Sequence, residues 1–356
     1  MNHYSKKRRD PLPYSCPDSN SYTYVDGLGF TPPPPVVTER RLLQWYSNGI
    51  GFAVLFTIIF SFTMPYVVLG IVEIFHPAIR LYGNQLVASP ALIQLIDMIS
   101  GHLAMLLPFV LFAFLCKAPF SVVLPFRSFC SSVAAPGLFI AMGVSVIGLF
   151  ASQLLSLFMS FLGFSPILPD ITFPDTPAAA MLYLLNLTLF GPLVEEMVFR
   201  GIVMNTLRRF GDSFALLISS LLFAFIHMNL TQMPNAFLMG LVMGYFVLCT
   251  GSLWVGVLIH AVNNSLVLLL NGVLYSVPQS ASVMVMLSVF SLYLIGGIIA
   301  LLYLVRRHPN MFIFLRSSTL SIERKKYIVF FSAMTMVICL IFLGIFTLSN
   351  ISAVSY

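Results

Sequence analysis

From about residue 50 to the C-terminus, uncharged apolar runs of roughly 20 residues recur along this chain. That recurrence limits what it can fold into. A bilayer core takes about 20 apolar residues per helical crossing, and only internally hydrogen-bonded helices or closed barrels can span it. Charged residues make up 8% of the 356 positions and hydrophobic residues 59%. A soluble domain is about one quarter charged, so these apolar residues cannot be hidden beneath a soluble surface. Runs of this length and continuity predict an all-α, polytopic transmembrane helical bundle of about nine helices.

The nine segments run over about 49–73, 91–116, 134–162, 178–200, 213–229, 234–250, 252–272, 282–305 and 328–349. Basic residues give an orientation. Arg40 and Arg41, Lys117 and Arg127, Arg208 and Arg209, and the loop from Arg306 to Lys326 fall on one side of the alternation. The intervening loops carry only Arg80. The expected topology has a cytoplasmic N-terminus and an external C-terminus, in a cell membrane and specifically a bacterial plasma membrane.

Residues 1–45 include Pro32–Pro35 and few aliphatics, and read as a disordered, Pro-rich cytoplasmic tail. Residues 46–356 form the expected transmembrane domain, with a catalytic motif core at about 178–272. The basic cluster Lys6–Arg9 is not followed closely by an apolar stretch, so no signal peptide is expected. Five cysteines without a CxxC pair predict neither a disulfide framework nor a zinc ribbon.

Ionisable residues at bilayer depth are expensive and mark candidate functional positions. Asp97 and His102 on the second segment read as helix–helix polar contacts, and Glu73 as an interfacial residue. The remaining residues form three stretches. The first is Glu195-Glu196-Met197-Val198-Phe199-Arg200. Glu196 precedes Arg200 by one helical turn, the favoured order for an ion pair. Glu195 is turned about 100° away, which leaves it without a partner in its own helix and free for chemistry. The second stretch runs from Phe223 to His227, and the third from His260 to Asn264, which share a helix face. Glu195 and His227 are equidistant in sequence from a turn near Gly211. The three stretches are therefore expected to converge, in the cytoplasmic half of the bilayer.

EExxxR, FxxxH and HxxxN on successive transmembrane helices resemble the signature of the CPBP family of intramembrane proteases. That family comprises CAAX proteases and bacteriocin-processing enzymes, and is also called Abi or Rce1-like. Here the motifs are Glu195-Glu196 with Arg200, Phe223 with His227, and His260 with Asn264. The resemblance implies an eight-helix core, to which the ninth segment is an addition, and an endopeptidase cavity open to the cytosol. It further implies that Glu195 and His227 activate a water while His260 and Asn264 hold the oxyanion, with Glu196, Arg200 and Phe223 in structural support. Residue chemistry is compatible with those roles. A carboxylate in a low-dielectric cavity is suited to general-base work, and preset donors stabilise a developing oxyanion.

Glu195, His227 and His260 are also the ligands a catalytic zinc would use. There is no HExxH, and Asn is a poor zinc ligand, so no obligatory metal is expected. The expected function is cleavage of a membrane-associated peptide or protein: a prenylated tail, a bacteriocin leader or another membrane-bound peptide. In a bacterial membrane, peptide maturation or self-immunity is favoured over prenyl processing. No nucleic-acid partner is expected. The alternative is a non-catalytic scaffold or transporter that uses the same residues for helix packing or proton transfer. Inverted repeats or paired broken helices would mark a transporter, and none is visible in the sequence.

Overall fold

The computed structural model describes residues 23–25, 29–31, 35–75, 80–82, 85–167, 173–312 and 319–353. Most of the expected tail lies outside these residues. Its last part is helical, because α1 begins at Pro35 (Pro35–Phe75). Proline is well placed there, since the first helical position has no intrahelical use for an N–H.

The chain is a polytopic α-helical bundle. After α1 come α2 (Pro90–Leu115), α3 (Ser131–Phe161), α4 (Pro177–Phe210), α5 (Asp212–Phe225) and α6 (Met233–Thr250). Helices α7 (Leu253–Ser276), α8 (Gln279–Arg307), α9 (Glu323–Phe331) and α10 (Met334–Ser349) complete the set. All nine expected segments are helical, but they do not make nine full spans. Among the described residues seven helices are long and apolar enough to cross, or eight if α9 and α10, bent by 70° at their junction, form one span. Helix α5 has 14 residues, about 21 Å of rise, against a hydrocarbon core of about 30 Å.

Helix α4 carries the middle of the core. Val198, Phe199, Ile202, Val203, Met204 and Leu207 are all fully buried. Helix α1 packs on α2 and α10, α3 on α6 and α8, and α5 on α6. Large apolar side chains such as Phe52, Phe62, Phe150 and Phe161 remain exposed on the outside of the bundle, as a lipid-facing surface requires.

Hydrogen bonds between loops sort the bundle into two ends. At one, Leu253 N–H donates to Pro125 O at 3.0 Å, Lys326 Nζ to Phe210 O at 2.6 Å, Leu320 N–H to Glu39 Oε2 at 2.9 Å, and Tyr245 OH to Met311 O at 2.8 Å. This end gathers the basic segments around residues 39–41, 117–127, 208–209, 306–312 and 319–326. At the other end, β5 (Phe164–Pro166) pairs antiparallel with β6 (Ile351–Ala353). The only other strands among the described residues form two hairpins, β1 (Thr23–Val25) with β2 (Gly29–Thr31) and β3 (Arg80–Tyr82) with β4 (Gln85–Val87).

Candidate functional site

The site is built on a distorted stretch of α4. Its α-helical hydrogen bonding gives way to wider π turns at Asn186–Phe190 and Met197–Val203, on either side of Gly191–Glu196. Single π turns inside helices are frequent at functional sites. The first has a cause in the sequence. Pro192 has no N–H to donate and its ring crowds the preceding turn. Gly191 N–H donates to Asn186 O instead, and a Cβ on Gly191 would sit only 2.8 Å from that oxygen. Leu187 O is thereby denied both possible helical donors, Gly191 and Pro192. Asn264 Nδ2 of α7 donates to it at 3.0 Å. The orphaned carbonyl fixes the asparagine.

Glu196 and Arg200 form the expected ion pair, Oε1 to Nη1 at 2.8 Å, with both side chains fully buried. The guanidinium carbon lies 4.2 Å from the Phe223 ring centroid, so a cation–π contact covers one of its faces. Close approach of α7 is possible because residue 256 is glycine. A Cβ there would lie 2.7 Å from Glu196 Oε2. Across that contact His260 Nδ1 meets Glu196 Oε1 at 3.1 Å, while His260 Nε2 lies 3.6 Å from Glu195 Oε2. One imidazole therefore bridges the two adjacent carboxylates. Glu195 keeps 28% of its side-chain exposure, against 0% for Glu196.

Phe223 joins this group to His227, with ring centroids 5.7 Å from His260 and 4.9 Å from His227. His227 Nδ1 is 2.8 Å from Phe223 O in the last turn of α5. Among the described residues no hydrogen bond or ion pair joins Glu195 directly to His227; the imidazole that faces Glu195 is that of His260. His227 also sits beyond the end of α5 that is remote from Arg208, toward the basic-poor end of the bundle. Convergence in the basic half does not follow from equal sequence distances once α5 is this short.

Sequence reasoning missed Gly191, Pro192 and Gly256. Pro192 within an apolar run was the available signal, since a proline frees carbonyls one turn earlier. The His102 ring lies 6.5 Å from the Phe190 ring of α4. Asp97 instead lies on an exposed face of α2. Among the described residues no group of three His, Cys, Asp or Glu is placed to hold a metal ion. His260 turns both ring nitrogens to carboxylates, Nδ1 to Glu196 and Nε2 to Glu195.

Residues 177–266 match the family model for type II CAAX prenyl endopeptidase Rce1-like proteins. The match spans all three motifs and supports a CPBP/CAAX protease family for this multi-pass membrane protein. No curated protein and no solved structure matches the chain.

Proposed function

We propose that this protein is a CAAX-type intramembrane peptidase that hydrolyses a peptide bond of a membrane-associated peptide or protein, with Glu195 as the general base. The observation that carries this reading is the unequal treatment of two neighbouring carboxylates. Glu196 is buried against Arg200, while Glu195 remains partly exposed and faces His260. The first holds the site together and the second can meet a water.

In the proposed reaction Glu195 takes a proton from water as the water oxygen bonds to the scissile carbonyl carbon. His260, fixed through Nδ1 by Glu196, and Asn264, fixed through Leu187 O, supply donors to the oxyanion that forms. A ring protonated on both nitrogens can donate to Glu196 and to the oxyanion together. Collapse breaks the C–N bond, and the proton held by Glu195 passes to the leaving amine. His227, beside Phe223, is assigned to orienting the attacking water. No metal takes part in this scheme.

The test is cleavage of a library of membrane-tethered peptides, prenylated and unprenylated, by the purified protein in lipid nanodiscs. Wild type should cleave some members, while Glu195→Gln should lose at least about a thousandfold in rate, as removal of a central catalytic group does, and keep its melting temperature. Wild-type turnover by Glu195→Gln would overturn the assignment.

A further inference from the structure

The chain leaves α5 through a strained turn directly after His227. Met228 has φ of +49°, a left-handed conformation that β-carbon sterics disfavour in any residue but glycine. Such conformations persist where the surroundings over-determine them. Here the surroundings come from outside the matched family region. Asn350 Nδ2, just past the end of α10, donates to Met228 O at 2.9 Å. Asn350 O accepts from Ile167 N–H at 2.8 Å. Ile167 O accepts from Asn229 Nδ2 at 2.9 Å. Asn229 follows Met228, so the three bonds close a ring through three segments distant in sequence. The β5–β6 pairing continues it, from Ile351 opposite Pro166 to Ala353 opposite Phe164.

Within that ring Asn229 has a second task. Its Oδ1 accepts from Thr231 N–H at 3.1 Å, Thr231 Oγ1 at 2.8 Å and Gln232 N–H at 3.3 Å, a local side-chain cap that starts α6. The backbone on the C-terminal side of His227 is therefore held twice, by its own cap and by the end of the chain. On the N-terminal side the ring nitrogen is held by Phe223 O. We propose that Asn350 is a positioning residue for His227: the C-terminal segment, through Asn350 and β6, sets the angle at which the imidazole meets the site. This rests on the peptidase reading given above.

The chemistry predicts a particular response. The Met228 carbonyl lies in the 228–229 peptide unit; releasing that unit lets the left-handed Met228 relax and shifts the backbone that carries the imidazole, and a displacement of about 1 Å in a reacting constellation can cost roughly a hundredfold in rate. Substrate binding need not change. Asn350→Ala removes the donor, and Asn350→Asp places an acceptor-only carboxylate against Met228 O. Each should lower kcat tenfold or more, in order of magnitude, with KM within about twofold of wild type. Asn229→Asp breaks the ring at its other node but keeps Oδ1 for the α6 cap, and should reproduce the kcat loss.

A readout independent of turnover accompanies these. In protein labelled with ¹³C,¹⁵N-histidine, the ring resonances of His227 should move in Asn350→Ala and Asn229→Asp, while those of His260, held by the two glutamates, stay in place. Loss of kcat with a displaced His227 signal supports the proposal. Wild-type kcat in both variants, or an unmoved His227 signal in folded protein, overturns it. If wild type and Glu195→Gln cleave nothing alike, the peptidase reading fails; the His227 spectrum still decides whether Asn350 sets the ring.

Discussion

Glu196→Gln tests the division between the two carboxylates through stability. Glu196 and Arg200 are fully buried and 2.8 Å apart. At an effective dielectric of 20 that separation corresponds to about 6 kcal/mol of attraction before desolvation. Stranding one member of a buried pair costs about 3–5 kcal/mol net. Arg200 has little in reserve, because Nε and Nη2 have no hydrogen-bond partner among the described residues and the Phe223 ring covers only one face. Glutamine can still accept from Nη1, which argues for the low end, about 3 kcal/mol. In thermal unfolding followed by circular dichroism in nanodiscs, that should lower the midpoint by roughly 4 °C. Removing the stranded charge as well should restore much of it, since apolar replacements of a whole buried pair are often neutral. Glu196→Gln with Arg200→Met should therefore melt above Glu196→Gln alone. A single variant within about 1 °C of wild type, or a double variant melting below the single, would refute the pairing argument.

Two further outcomes follow from local geometry. Gly256→Ala puts a Cβ 2.7 Å from Glu196 Oε2 and 2.9 Å from Val247 Cγ2; it should cost about 1–3 kcal/mol and reduce turnover. Gly272→Ala on the same helix, with nothing within 4 Å of the new Cβ, should melt close to wild type. Cys130 is exposed and lies in the basic loop, so in a Cys16→Ser background it should react with an impermeant maleimide only from the cytoplasmic face; labelling from outside intact cells would reverse the orientation. Its hydrogen bond with Ser132, 3.0 Å away, holds the thiol below its ordinary pKa. More thiolate is then present at a given pH, and Ser132→Ala should slow labelling near neutrality.

The helices were legible because lipid leaves few alternatives for long apolar runs. The Glu196–Arg200 pair was legible because it is local: two residues one turn apart on one helix meet whatever surrounds them. Partners across helices were not. Nothing in the stretch from His260 to Asn264 says that His260 would span Glu195 and Glu196, because that depends on how closely α7 approaches, and hence on Gly256. The level of His227 is not fixed by sequence distance alone. Counting residues from Gly211 assumes two equal, regular helices, whereas α4 widens into π turns and α5 ends at Phe225. The ninth segment, read as an addition to the core, gave no hint that Asn350 would reach Met228.

Adjacent glutamates on one helix would repel each other in a low dielectric unless their surroundings differed. The fold supplies the difference by rotation: about 100° separates consecutive side chains, enough to turn Glu196 inward to Arg200 and leave Glu195 partly exposed. His260 couples them, so a change in charge on Glu195 is felt at a ring that Glu196 holds still. Rigidity on one side and access on the other are both needed for a general base. A carboxylate fully enclosed like Glu196 could not receive water, and one as open as a surface residue would have no fixed donor beside it. The Gly191-Pro192 break contributes to the same end. It costs α4 a regular turn, and the freed Leu187 carbonyl holds Asn264 on the helix face it shares with His260.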